Sequence, residues 1–128
     1  MSAVKRMIAR LDRGEHICFS ESIVLIDALY SFVPVRFING VGSAAPVINE
    51  AGTNKGSCKI FYFARLHGLS PQQTLALFGD YYRLDVLQHP EATDHANIRT
   101  FMRYGWEGIH YEGVALVARD SQSDSRLK

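Results

Sequence analysis

The sequence predicts one α+β domain, with four or five helices packed around a buried helix and a small antiparallel sheet. Three observations support this class. The chain has 128 residues, of which 47% are hydrophobic, and this is enough for one compact core. Several segments place apolar residues at helical spacing. Two short segments, near residues 35–38 and 109–118, have the composition of strands bounded by turns.

The first half of the chain begins with two predicted helices. Residues 3–12 carry apolar residues at helical spacing, and Gly14 stops the pattern. A second helix follows with Ser20 as its N-cap, because a serine hydroxyl can accept a bond from a free N–H of the first turn. Pro34 ends that helix. Residues 35–38 alternate weakly and predict a short strand.

A long connection then leads into the buried helix. Residues 39–57 include four glycines, one proline and three asparagines, which is typical of an irregular loop. Loops of this length inside a compact domain usually have a function. The next helix is predicted over residues 58–67, ending before Gly68. Its four consecutive large apolar residues at 60–63 indicate that it is buried on most sides.

The clearest local pattern follows directly. Ser70 is a predicted N-cap, Pro71 occupies the first helical position, and Gln73 completes a capping box. A further turn or short helix is predicted over residues 80–87.

The C-terminal part is predicted to contain one more helix and a hairpin. Thr93 or Asp94 caps the helix, which runs to about Arg103. The segment 109–118 then forms two strands around the turn residues 112–113. This hairpin and the strand near 35–38 make up the small sheet.

We predict a single domain over residues 1–119 and a polar, disordered tail over residues 120–128. No segment approaches the ~18 apolar residues of a membrane span. The N-terminus also lacks the ~7–15 apolar residues of a secretory signal. Cys18 and Cys58 are therefore predicted to be reduced thiols.

Charge excludes two classes of partner. The chain has 14 Lys and Arg residues against 13 Asp and Glu residues, a formal net charge of +1. A dedicated DNA or RNA binder usually carries a basic excess, and so does a protein anchored electrostatically to a membrane. We therefore predict no nucleic-acid partner and no membrane partner.

Cys58 is the first candidate for chemistry. It follows a glycine-rich loop and is predicted to lie in the first turn of a helix, where the helix dipole and the nearby Lys59 favour a thiolate. A catalytic cysteine needs a base, and His95 is the best candidate because a position near a helix N-terminus keeps its ring neutral. This pair predicts a small thiol-dependent hydrolase or transferase. The alternative is that Cys58 is a small core residue.

A metal site is the second candidate. Residues 89–95 place two imidazoles and two carboxylates within seven positions, and these groups suit Zn or Fe. The predicted ligands are His89, Asp94 and His95. The alternative is that both histidines are surface or capping residues.

The loop before Cys58 is the third candidate. A glycine-rich turn that opens a helix exposes N–H groups that bind anions or small ligands. The alternative is a capped, ordered turn with structural asparagines. We predict a polar site formed by the loop 49–58 and the segment 80–99. Its predicted ligand-binding residues are Asn49, Glu50, Asn54, Ser57, Lys59 and Asp80.

Three segments of the chain resemble one known family. They are Val47–Phe61, the stretch from Phe78–Arg83 through Val86–Pro90, and Thr93–Arg99. Together they resemble the HopJ type III effector family, and the likeness extends from about Val4 to about Ala118. The family takes its name from a protein that a plant pathogen delivers into plant cells through type III secretion.

The resemblance implies a protein that interacts with a host or bacterial protein partner, and it implies no catalytic residue set. It also implies type III secretion. The start of this chain reads as an amphipathic helix rather than a serine-rich leader, and this predicts the bacterial cytoplasm instead. We rank three hypotheses: a HopJ-type binding protein, a thiol enzyme using Cys58 and His95, and a metal-binding protein.

Overall fold

A computed structural model describes residues 2–119, and within that range the chain forms five α-helices. A π-helix, Tyr81–Val86, lies between the fourth and fifth, and a 3₁₀ turn, Gly105–Gly108, follows the fifth. The predicted tail 120–128 lies outside the described residues. The α-helices are α1 (Ala3–Asp12), α2 (Phe19–Leu29), α3 (Lys55–Leu66), α4 (Pro71–Ala76) and α5 (Ala96–Tyr104).

Five short strands form two antiparallel sheets within residues 2–119. One sheet has the order β3-β2-β4, and the other pairs β1 with β5. The strands are β1 (Tyr30–Phe32), β2 (Phe37–Asn39), β3 (Val47–Asn49), β4 (Ile109–Tyr111) and β5 (Leu116–Ala118).

The two C-terminal strands lie within the predicted segment 109–118, but each pairs with an earlier strand and not with the other. Phe37 lies opposite Tyr111, and their rings stack with centroids 5.0 Å apart. Tyr30 lies opposite Ala118 in the second sheet. Aromatic packing across β2 and β4 therefore joins the end of the chain to its first half.

Helix α3 is the centre of the core, as the sequence predicts. Its residues Ile60, Phe61, Phe63 and Ala64 are buried. The centroids of the Phe61 ring and of the Phe101 ring of α5 lie 4.9 Å apart, so the buried helix α3 contacts α5 directly. The α+β class, with helices around a buried helix, is confirmed. No helix within residues 2–119 is both long enough and apolar enough to cross a bilayer.

The N-caps of α4 and α2 test two of the capping patterns predicted from the sequence. At α4, the Ser70 hydroxyl accepts from the N–H of Gln73, and the Gln73 side chain accepts from the N–H of Ser70, so the predicted capping box is confirmed. At α2, the N-cap is Cys18, not Ser20. The Glu21 carboxylate accepts from the N–H of Cys18, and the N-cap lies two residues earlier than predicted.

Two strands were not predicted. β1 follows α2 without a break and covers residues that the sequence pattern assigns to the end of that helix. β3 lies inside the predicted loop 39–57, where its edge pairs with β2. Strands of three residues are too short for alternation to be visible in the sequence.

The two serines give a direct test of the caps. Ser70→Ala is expected to lower the free energy of unfolding by about 1 kcal/mol, because the first turn of α4 loses a hydrogen-bond acceptor. Ser20→Ala is the matched control, since Ser20 is exposed inside the first turn of α2 and caps nothing. Urea denaturation measures both. An equal loss in the two variants would contradict this assignment of the N-caps.

Candidate ligand-binding cleft

Three buried asparagines form a hydrogen-bonded network beside the core. Asn39 ends β2, Asn49 ends β3 and Asn97 lies in the first turn of α5. The Asn97 carboxamide oxygen accepts from the Nδ2 of Asn39 and from the Nδ2 of Asn49, each at 3.1 Å. The Asn97 amide donates to the Asn49 oxygen at 2.8 Å. Because amides both donate and accept, the network holds two strands against α5 without burying a charge.

A fourth asparagine extends the network to α3. Asn54 is the N-cap of α3, and its Nδ2 donates to the Asn49 oxygen at 2.6 Å. It has a φ of +48°, in the left-handed region that asparagine tolerates better than most residues. Its side chain therefore holds the helix start in place and does not cap the helix.

The start of α5 has the same unusual geometry. His95 is its N-cap and has a φ of +53°. Within residues 2–119, Asn54 and His95 are the two non-glycine residues with positive φ. A left-handed non-glycine residue costs about 1–2 kcal/mol and persists where the surrounding structure enforces it. The two strained residues start the two helices that the amide network joins.

A cleft of about 330 Å³ lies between these two helix starts. Asn54, Gly56 and Ser57 line it from α3, and His95, Ala96 and Asn97 line it from α5. The other lining residues are mostly apolar: Phe19, Val47, Phe78, Tyr81 and Ile98.

The Phe19 ring explains why residue 56, in the first turn of α3, is a glycine. A Cβ placed on Gly56 would lie 2.6 Å from the Phe19 ring, so this ring packs directly on the backbone of the helix start. The centroid of the Tyr81 ring lies 5.0 Å from that of the Phe19 ring and 5.1 Å from that of the His95 ring. Three rings thus line one side of the cleft.

The helix starts offer N–H groups to the cleft. The first intrahelical bonds run from the N–H of Cys58 to Asn54 and from the N–H of Arg99 to His95. The three N–H groups before each of these positions have no such partner, and neither N-cap side chain accepts from them. Two uncapped helix N-termini carry partial positive charge, which favours an anion between them.

His95 also faces two carboxylates. Its Nε2 lies 3.0 Å from an Asp85 oxygen and 3.8 Å from an Asp94 oxygen. Asp85, Asp94 and His95 each offer one ligand atom, and these three atoms lie within 4.8 Å of one another. Of the three predicted metal ligands, Asp94 and His95 are therefore brought together. His89 is exposed and lies outside this group, whose third member is Asp85.

Arg99 fixes the segment that carries these side chains. Its guanidinium donates to the backbone oxygens of Asp94 at 2.6 Å, His89 at 2.9 Å and Asp85 at 3.3 Å. It also donates to the Asp94 carboxylate at 2.8 Å, and this bond lowers the pKa of Asp94. The Arg99 guanidinium therefore holds the backbone of the turn from residue 85 to residue 94 in place.

Cys58 is placed in the core and does not line the cleft. It is 2% exposed, and burial raises the pKa of its thiol, which opposes the low pKa expected of a nucleophile. The Tyr111 hydroxyl donates to the backbone oxygen of Cys58 at 2.7 Å. The physical reason is the helix start: α3 begins at Lys55, so Ser57 occupies the first turn and Cys58 faces inward.

The remaining predicted ligand residues divide into two groups. Asn54 and Ser57 line the cleft, and Asn49 lies behind it in the amide network. Three charged residues point elsewhere and form ion pairs. Those pairs are Glu50 with Arg36, Lys59 with Asp27, and Asp80 with Arg83.

Sequence reasoning missed Phe19, Asn97 and Asp85. Phe19 reaches the cleft from a helix far away in the chain, and nothing in its neighbourhood marks it. Asn97 is a polar residue at a buried helical position, next to Ile98. A polar residue on the inward side of an amphipathic helix is the one pattern that could have drawn attention to it.

The thiols provide one test of the site. Iodoacetamide is expected to modify exposed Cys18 in the folded protein, and to modify Cys58 only on unfolding, because the Cys58 thiol is buried and its pKa is raised. Mass spectrometry of peptides after alkylation over a range of pH measures both residues at once. Rapid modification of Cys58 near neutral pH would restore the nucleophile hypothesis.

The amide network provides a second test. Asn97→Asp replaces the donor to Asn49 with a carboxylate oxygen, so two oxygens face each other in a buried site. We expect a loss of at least ~2 kcal/mol in the free energy of unfolding at neutral pH. Gln88→Glu makes the same chemical change at an exposed position and should cost little. Similar losses in the two variants would show that the network contributes no special stability.

Comparison with known proteins agrees with this fold. A family model described as HopJ type III effector protein matches residues 4–116. The chain is also similar to the crystal structure of VPA0580, a protein of unknown function. The two are 45% identical, the match covers 92% of this chain and 94% of that chain, and the TM-score is 0.83. No curated protein matches the chain. Because the family model spans most of its length, the chain belongs to the HopJ type III effector family.

Proposed function

We propose that this protein is a binding protein whose cleft between α3 and α5 takes a small anionic ligand. The observation that carries the proposal is the meeting of two uncapped helix N-termini in one cleft. The two starts come from the loop 49–58 and the segment 80–99, which the sequence predicts to form a polar site.

The charges around the cleft support an anion over a cation at this position. Each helix start contributes partial positive charge and N–H donors. The two acidic groups beside His95 are already engaged: Asp94 with Arg99, and Asp85 with His95. The Ser57 hydroxyl adds a donor inside the cleft. A phosphate or carboxylate group would therefore find more donors than competing acceptors.

The size and lining of the cleft support a small molecule. About 330 Å³ is at the lower end of the range for ligand sites, which is about 300–1,000 Å³. The rings of Phe19 and Tyr81 offer apolar contact for the rest of such a molecule. A phosphate monoester with a small ring meets both conditions.

Ser57→Asp is the sharpest test, because it separates binding from folding. An aspartate in the first turn of α3 would add about 0.3–1 kcal/mol of stability through the helix dipole. The same carboxylate would occupy the place of the ligand's anionic group. We therefore expect a raised Tm together with an affinity for inorganic phosphate and for phenyl phosphate that is at least about tenfold weaker. Isothermal titration calorimetry and thermal melts measure these changes.

Ser20→Asp is the matched control for this experiment. It makes the same substitution in the first turn of α2, at an exposed residue that does not line the cleft. It should leave both affinities unchanged. Absence of binding to the unsubstituted protein, or equal affinity in the protein and in Ser57→Asp, would overturn the proposal.

A further inference from the structure

We propose that Asp85, Asp94 and His95 bind one divalent transition-metal ion, at a site beside the cleft. The ligand proposed here is a cation and not an anion, and side-chain atoms bind it instead of backbone N–H groups. The metal site can therefore be tested separately from the proposed anion site. His95 is the residue that the two sites share.

The spacing of the three donor atoms supports a metal. Ligand distances of about 2.0–2.1 Å in a tetrahedral site place neighbouring donor atoms about 3.4 Å apart. The Nε2 of His95 lies 3.0 Å from the Asp85 oxygen and 3.8 Å from the Asp94 oxygen, values on either side of that spacing. One ligand atom from each of the three residues lies within 4.8 Å of the other two. Small movements of these side chains, of which Asp94 is exposed and the other two are partly buried, would bring the donor atoms to one ion.

Proton counting supports the same conclusion. The Nε2 of a histidine carries at most one hydrogen, and here two carboxylates approach that one nitrogen. That hydrogen can serve Asp85 at 3.0 Å, whereas the 3.8 Å to Asp94 is too long for a hydrogen bond, so hydrogen bonding to His95 does not account for the approach of the second carboxylate. A divalent ion would satisfy the imidazole nitrogen and both carboxylates together.

Arg99 holds the two acidic ligands where the ion needs them. Its guanidinium binds the backbone oxygens of Asp85 and Asp94, so the spacing between the two residues is set before any ion arrives. It also occupies one oxygen of the Asp94 carboxylate, and the other oxygen faces His95. This outer hydrogen bonding is typical of carboxylates that ligate metals.

The donor set indicates which metals fit. One imidazole nitrogen with two carboxylate oxygens suits Zn²⁺, Mn²⁺ or Fe²⁺. Ca²⁺ needs 6–8 oxygen ligands, which these residues do not supply. Three protein ligands leave at least one coordination position for water.

The test uses the full chain, freed of metal by a chelator, and titrates it with ZnCl₂ or MnCl₂ in buffer without phosphate. We expect one ion per chain by calorimetry and a rise in Tm on binding. Asp85→Asn keeps the side-chain shape, and His95→Asn places a residue that tolerates the left-handed φ. Each is expected to weaken metal affinity at least about tenfold.

Two controls decide the ligand set. His89→Asn alters an exposed histidine of the same turn and should leave the affinity unchanged. Ser57→Asp disables the proposed anion site but removes no metal ligand, so metal affinity should not fall and the two proposals can fail separately. Absence of binding, equal affinity in the protein and in His95→Asn, or a loss in His89→Asn as large as that in Asp85→Asn would overturn the assignment.

Discussion

The hydrogen bonds among Asn39, Asn49 and Asn97 are the interaction on which the candidate site depends. They join two neighbouring strands to the first turn of α5, and Asn54 carries the same network to the start of α3. Each amide is nearly or fully removed from water except that of Asn54, so a broken bond would leave a buried polar group without its partner. The relative position of the two helix starts is therefore fixed by polar contacts of high directionality and not by apolar packing alone.

Backbone strain coincides with the proposed binding site at these helix starts. An N-cap usually has an extended backbone and a side chain that bonds the first turn. Asn54 and His95 have neither feature, because their side chains are engaged with Asn49 and Asp85. The energetic cost of the left-handed backbone is offset by the network that holds it. What results is a pair of helix N-termini with their N–H groups unused by the protein itself, which is the property that a binding site needs.

Local structure could be predicted from the sequence, and the site only in part. The Ser70 capping box and the buried helix after Gly56 depend on neighbours in the chain, so their patterns are visible. The sequence pattern places the start of α3 at Cys58, three residues late. The observed start at Lys55 puts Ser57, and not Cys58, at the cleft. The pairing of Asp85 with His95 depends on a turn that Arg99 shapes from outside, which no spacing rule contains.

The pairing of β1 with β5 has a consequence for how the protein reaches its native state. Tyr30 lies opposite Ala118, so the second sheet joins residues that are 88 positions apart in the sequence. Contacts of such long sequence separation are slow to form, because a large loop must close first. During synthesis, the pairing of β1 with β5 must therefore wait until residue 118 has left the ribosome. The second sheet is therefore completed only after every element between β1 and β5 has been synthesised.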